Sequence, residues 1–298
     1  MRKLFKIALA IAALVAVALW IVSAPETLAE SPEFARSGDV ENGRYVFYAG
    51  GCASCHSAPK AKGEAKLLLT GGRAFASPFG TFYAPNISPD PEFGIGNWSA
   101  MDLANAMIKG VSPDGQHYYP AFPYTSYSRV ELADIVDLRA FLDTLPPSDT
   151  VNQSHDLPLP FRFRRALGSW KILYLDDDPV PVSGALTRGQ YLVEGLGHCA
   201  QCHTPRTVFG GLKPAKWMSG APLPEGKGRV PNITPHADGL AYWSIGDFTE
   251  YLESGFTPDF DSASGIMVDV IENTAYLSDE DRLAIATYLK ALMPIAKP

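Results

Sequence analysis

At 298 residues the chain is long enough for two ordinary domains, and 46% hydrophobic with 19% charged residues describes a globular protein, not a disordered or fibrous one. A net charge of −7 argues against a nucleic-acid partner, because phosphate binding needs clustered Lys and Arg. The acidity names no other partner, since charge alone reports on solubility and not on fold or ligand.

The chain opens on "MRKLFK", with Arg2, Lys3 and Lys6, followed by an apolar run from Ile7 to Val22. Leu4 and Phe5 extend the run upstream, bringing it close to the ~20 residues a spanning helix needs. Trp20 stands near one end, as interfacial anchors do. Residues 1–24 therefore read as a membrane anchor or a signal segment. Cleavage after Ala24 is disfavoured by Pro25, and cleavage after Ala29 stays open. The anchor is the reading adopted, with the basic end in the cytoplasm and the rest exported to the periplasmic face of the inner membrane. Without the three basic residues the exported part carries 22 cations against 32 anions, about −10.

The next expected helix runs from about Val40 to His56 and ends in "CASCH". The four cysteines are Cys52, Cys55, Cys199 and Cys202, and they occur as "CASCH" and "CAQCH". Each is C-x-x-C followed directly by His, the pattern of covalent c-type haem attachment. Two thiols add across the two vinyl groups of one haem, and the adjacent His then presents its imidazole to the iron. This makes Cys52, Cys55, Cys199 and Cys202 the attachment residues of two covalently bound haem c groups, with His56 and His203 as proximal ligands. A thioredoxin-like pair predicts neither the His nor the repetition. A structural zinc site wants four ligands together, and these pairs lie in separate halves of the chain.

The two halves match beyond the cysteines. "YAPNISPD" around Asn86 resembles "RVPNITPH" around Asn232, and "NWSAMDLANAMIKGVSPDG" resembles "YWSIGDFTEYLESGFTPDF". The offset is 146 from Pro85 to Pro231, and 145 both from Trp98 to Trp243 and from Pro113 to Pro258. Two repeats of this period are a duplicated domain and not a solenoid. In the first copy, Met101, Leu103, Ala104, Met107 and Ile108 recur at helical spacing. A further helix carries Leu132, Ile135, Val136, Leu138 and Leu142 and stops at Pro146–Pro147. In the second copy "LSDEDRLAIATYLKALMP" takes its place. Short helices joined by long Gly- and Pro-rich loops suit the wrapping of a flat cofactor. The expected fold is all-α: two tandem class I cytochrome c domains, residues 35–147 and 185–298, behind the N-terminal helix. Residues 148–184 form the linker, where "FRFRRALGSWKIL" reads as a basic amphipathic helix packing between domains rather than touching the membrane surface.

A haem of this class takes its sixth ligand, Met or His, from the loop before the last helix. The second copy offers Met267 there, while Met218 and Met293 are less well placed. The offset of 145 carries Met267 onto Phe122, which cannot bind iron. His117 in "GQHYYPAFPY" is the substitute adopted, ahead of His155 in the linker and of Met101 and Met107, which look like core residues. An open or weakly capped iron is the alternative. His/His ligation in the first domain and His/Met in the second would send electrons from the first haem to the second, because Met raises the potential.

The repeated "PNI(S/T)P…W" element, "GVSPDG" and "YPAFPYTSY" resemble the cytochrome c subunits of membrane-bound periplasmic dehydrogenases that oxidise alcohols, gluconate, sorbitol or aldehydes, over about residues 40–298. The resemblance implies an electron-transfer subunit and not an enzyme. Its donor would be a dehydrogenase catalytic subunit, and its acceptor another cytochrome, an oxidase or quinone. Two departures stand out: this chain has two haem motifs where those subunits commonly have three, and Phe122 where they often have Met. Phe122 is the one feature that favours the rival reading, a dihaem enzyme of cytochrome c peroxidase-like or thiosulfate-oxidising type.

Overall fold

The computed structural model describes residues 1–175, 184–223 and 228–298. The chain begins with the apolar helix α1 (Arg2–Val22), none of whose residues is buried. The first unit contains α2 (Val40–Ala49), α3 (Cys52–His56), α4 (Ala100–Ala104), α5 (Tyr124–Tyr127) and α6 (Leu132–Leu142). α7 (Ala166–Tyr174) follows, and the second unit contains α8 (Gly184–Gln190), α9 (Ala200–His203), α10 (Ile245–Ser254), α11 (Ile266–Thr274) and α12 (Asp279–Ala291). Two π-helical stretches, Asn105–Lys109 and Tyr191–Leu196, prolong α4 and α8. The fold is mostly helical, as expected, with one small antiparallel ribbon in each unit. In the first, Ala74–Ser77 (β1) pairs with Gly80–Tyr83 (β2); in the second, Ala221–Pro222 (β3) pairs with Arg229–Val230 (β4).

The helix expected over 40–56 is interrupted. α2 stops at Ala49, Gly50 caps it, and Gly51 takes φ +60 before the attachment helix restarts at Cys52. That left-handed angle is where glycine is nearly free of penalty. The second unit makes the same turn at His198, φ +40.

Each unit is built on a crossing of its first and last helices, and each crossing depends on one glycine. A Cβ on Gly43 would lie 1.9 Å from the carbonyl oxygen of Asp137, and one on Gly189 would lie 2.1 Å from that of Ala284. Hydrogen at these two sites lets α2 meet α6 and α8 meet α12 backbone to backbone. Around the crossings Val46, Phe47, Ile135, Leu138 and Phe141 fill the first core, and Leu192, Ile285, Ala286 and Leu289 the second; one apolar cluster runs through both.

The repeated loop motifs have structural work. Asn86 donates to the carbonyls of Ser148 and Thr150 and accepts from the N–H of Ser88 at 2.9 Å. Asn232 donates to Ile295 O and accepts from Thr234 N, also at 2.9 Å. Each PNI(S/T) element thus clips the chain following its unit's last helix. Capping boxes Ser99/Asp102 and Ser244/Asp247 start α4 and α10.

α7 packs between the units, in accord with the sequence. Its Lys171 donates to the carbonyls of Lys109 and Gly110 in the first unit, and Trp170 donates to Phe209 O in the second at 2.8 Å. Gly43→Ala and Gly189→Ala should each destabilise the protein by about 1–3 kcal/mol through overpacking. Denaturant unfolding of the holoprotein reads this, and a surface control such as Gly246→Ala, exposed in α10 with no neighbour nearer its Cβ than 3.6 Å, should not destabilise.

Candidate functional site

The attachment helices set the site. Cys52 and Cys55 stand one turn apart on α3, and Cys199 and Cys202 one turn apart at the start of α9. Burial pushes the Cys52 and Cys199 thiols up to about 12. Burial also pushes Cys55 up to about 11 against the pull of Arg73, and the nearby sulfur of Cys202 from the other unit adds to the rise. The two motifs lie near each other across the interface between units, with Gly50 ahead of the first beside the Leu196 carbonyl ahead of the second. They do not merge into a bare-metal site: among the described residues no three His, Cys, Asp or Glu side chains gather as metal ligands.

The two histidines are held alike. His56 Nδ1 lies 2.9 Å from the carbonyl oxygen of Pro85, and His203 Nδ1 lies 2.8 Å from that of Pro231. A carbonyl only accepts, so Nδ1 carries the proton and Nε2 keeps its lone pair free. Burial lowers both imidazoles below their ordinary value, against the pull of these carbonyls. A neutral ring with Nδ1–H anchored to a backbone oxygen is the form in which histidine binds a metal. Two thiols, one oriented imidazole and an apolar core in each unit fit a covalently attached haem. The proline carbonyls gave no signal as such, although Pro85 and Pro231 open the repeated motif.

The expected sixth-ligand positions can be checked against the backbone. Val111 bridges His117 in the first unit as Phe256 bridges Ser262 in the second. Ser112 N donates to Gln116 O as Thr257 N does to Asp261 O, and Tyr118 N donates to Gly110 O as Ala263 N does to Gly255 O. These pairs keep the offset of 145 up to a few residues before Met267, and it lands Met267 on Phe122. Met267 lies half-buried in the first turn of α11. Phe122 packs on the core beside Tyr118 and Tyr127, with ring centroids 5.9 and 5.7 Å away.

His117 lies elsewhere. Its Nε2 donates to the Ser23 carbonyl at 2.9 Å, and Lys171 and Arg165 stand near enough to depress its protonation further after burial has done so. Neighbouring residues in an extended bridge point to opposite sides. Tyr118 meets Phe122, so His117 turns away from it, toward α1 and α7. His155 is committed too: its Nδ1 accepts from Tyr83 N at 3.2 Å, and its ring packs on Phe82 and Tyr119. Met107 is core. Met218 is buried at the position of Leu69, both with φ near +54 and both accepting an isoleucine N–H, so it is a filler.

Sequence reasoning missed the way the units interlock. The segment before each unit's last helix caps the other unit's attachment helix. From α11, Asn273 donates to Ser54 Oγ at 2.9 Å, Asp269 pairs with Lys66 at 3.1 Å and Arg73 at 3.0 Å, and Tyr276, just beyond the helix, stacks on Tyr48 at 3.8 Å. From α5, Thr125 and Ser126 each accept from Gln201 at 2.9 Å, and the Tyr127 ring meets His198 at 5.5 Å while its hydroxyl donates to Gly50 O. Two tyrosine–carboxylate bonds repeat the exchange: Tyr45 donates to Asp281, and Tyr191 to Asp134. Asp134 and Asp281 occupy matching places on α6 and α12, so the units are related by an approximate twofold.

The cytochrome c family model matches residues 40–146 and 186–293. The chain is 54% identical over 265 residues to a dihaem cytochrome c-type protein of Cereibacter sphaeroides, covering 87% of this chain and 88% of that one. It is 36% identical to the fructose dehydrogenase cytochrome subunit of Gluconobacter japonicus and 38% identical to the gluconate 2-dehydrogenase cytochrome c subunit of Pantoea cypripedii. These cover 88% and 85% of this chain but only 54% and 59% of theirs. Two cytochrome c domains mean two covalently bound haem c groups. Tyr45→Phe and Tyr191→Phe should each cost about 1–2 kcal/mol, the worth of a hydrogen bond to a charged group less the retained packing. Thermal unfolding followed at the haem absorbance measures it, with Tyr242→Phe, an exposed ring, as the neutral control.

Proposed function

The chain belongs to the cytochrome c family, and we propose that it is a membrane-anchored dihaem electron carrier facing the periplasm, reduced by a dehydrogenase and reoxidised by the respiratory chain. The bound haems supply one-electron chemistry; the protein holds, orients and shields them. The observation that carries the reading is the interlocked interface, in which α11 of the second unit packs on the first unit's attachment segment and α5 of the first unit packs on the second's, bringing the two motifs near each other. Tunnelling rates fall steeply with distance, so such placement favours rapid exchange within one chain. The dehydrogenase donor is drawn from the cytochrome subunits to which the chain is similar, and the acceptor is another cytochrome, an oxidase or quinone. The anchor is α1, long and apolar enough to span a bilayer.

In this reading Cys52, Cys55 and His56 hold the first haem, and Cys199, Cys202 and His203 the second, with Met267 completing the second iron. His117 is not the sixth ligand of the first; it pins the end of α1. With Phe122 at the methionine position, that iron would lack a strong protein ligand there and would be accessible to small exogenous ones. This observation keeps the dihaem-enzyme reading as the second choice, for an enzyme needs such a site.

Spectroscopy of the holoprotein tests the assignment. Wild type should show one low-spin haem and one haem that binds carbon monoxide when reduced or cyanide when oxidised. His117→Ala should leave both haem spectra as they were, and Phe122→Met should abolish exogenous binding at the first haem and raise its potential. Two low-spin, ligand-inert haems in wild type, with one turned high-spin by His117→Ala, would restore His117 as the ligand.

A further inference from the structure

The end of α1 is not loosely tethered. Ser23 is buried; its carbonyl accepts from His117, and its hydroxyl accepts from Arg165 Nε at 3.2 Å. The Arg165 guanidinium lies over the Trp20 ring, 4.4 Å from its centroid. Gly168 of α7 approaches so closely that a Cβ there would sit 2.2 Å from the Ser23 oxygen. Where α1 leaves the body, the surface of α7 must therefore lie beside it.

That surface is unlike the rest of the molecule. Residues 159–175 contain three Arg, one Lys and no acid in a chain of net charge −7. Leu159, Phe161, Phe163, Ile172 and Leu173 are exposed, Phe163 at 59% and Leu173 at 71%. On a helical wheel Ile172 falls between Arg165, the N-cap of α7, and Gly168, the two residues that meet the end of α1 at Trp20 and Ser23. The 208–209 turn of the second unit continues the patch: Phe209 is 67% exposed, and its carbonyl accepts from Trp170 on α7. Arg162 is exposed among these side chains, and Arg164, which donates to His117 O and covers the Tyr119 ring, is half-buried beneath them. Asp114 is the acid near Arg164. Aromatic and aliphatic side chains mixed with arginine are the composition of a surface lying in the headgroup region.

We propose that residues 159–173, with the 208–209 turn, form a membrane seat that rests the haem-bearing units on an anionic bilayer surface around the exit of α1. The proposal builds on the anchor reading. The seat gives the carrier one fixed orientation. The membrane meets the linker side, and both units stay at a set height above the bilayer for their donor and acceptor.

The test uses full-length holoprotein in phosphatidylglycerol-containing vesicles doped with a phospholipid that bears a photoactivatable diazirine close to its headgroup. Adducts are mapped by mass spectrometry. Expected are adducts in α1 and at Phe161, Phe163, Leu173 and Phe209, with few at Tyr242 or Phe260, which are more exposed still but lie outside the patch. In vesicles of phosphatidylcholine alone, adducts at the patch should fall roughly threefold or more while those in α1 persist. Phe163→Ser with Leu173→Ser should reduce labelling of the remaining patch residues with unchanged haem spectra. Labelling of α1 with the patch no higher than Tyr242 and Phe260 overturns the seat and leaves the face to a protein partner. A labelled patch with α1 cleaved or unlabelled upholds the seat and overturns the anchor. No labelling of either overturns both.

Discussion

The exchange of capping segments between the two units is the constraint on which the rest of the structure depends. α11 of the second unit buries Ile271 in its own unit while laying Asp269 and Asn273 on the first unit's attachment segment. α5 of the first does the reciprocal job with Thr125, Ser126 and Tyr127. One short segment thus serves two units, and neither unit's attachment helix is fully covered without the other. The apolar cluster that runs through both units, the tyrosine–carboxylate pairs and the stacked Tyr48 and Tyr276 all follow from that arrangement.

Duplication with exchange also explains how the copies diverged. Positions that build the frame kept their chemistry: the glycines at the helix crossings, the capping serines, the asparagine clips and the proline carbonyls behind His56 and His203. The segment before each unit's last helix changed more, although in both copies it contacts the other unit. Pro123 precedes a short α5 in one copy, and α11 runs Ile266–Thr274 in the other. Phe122 and Met267 are the two outcomes at one register position. Electron transfer needs two irons near each other, but it does not need them to be ligated alike.

Much of this was legible in the chain. C-x-x-C-H is a chemical requirement written locally, and the steady offset exposed the duplication and placed Phe122 and Met267 at one register position. The helices declared themselves through apolar spacing and caps. The break at Gly50–Gly51 was hidden because the apolar pattern continues through it, and the β ribbons were hidden because four residues or fewer carry little signal. The interlocking could not be read: Tyr45 and Asp281 lie 236 residues apart, and neither has a local reason to be paired. The contact made by His117 was hidden for a related reason. A buried histidine in the right loop resembles a ligand, but its partner is a backbone carbonyl at the end of α1, 94 residues away, which no side-chain pattern announces.

The central claim is that the two haem centres act as one redox unit inside a single chain. Flash photoreduction of the half-reduced holoprotein, followed by transient absorption at several protein concentrations, tests it most directly. The account predicts a redistribution of the electron between the haems whose rate does not change with concentration. A redistribution that slows in proportion as the protein is diluted would mean that electrons pass between molecules and not across the interface, and would contradict it.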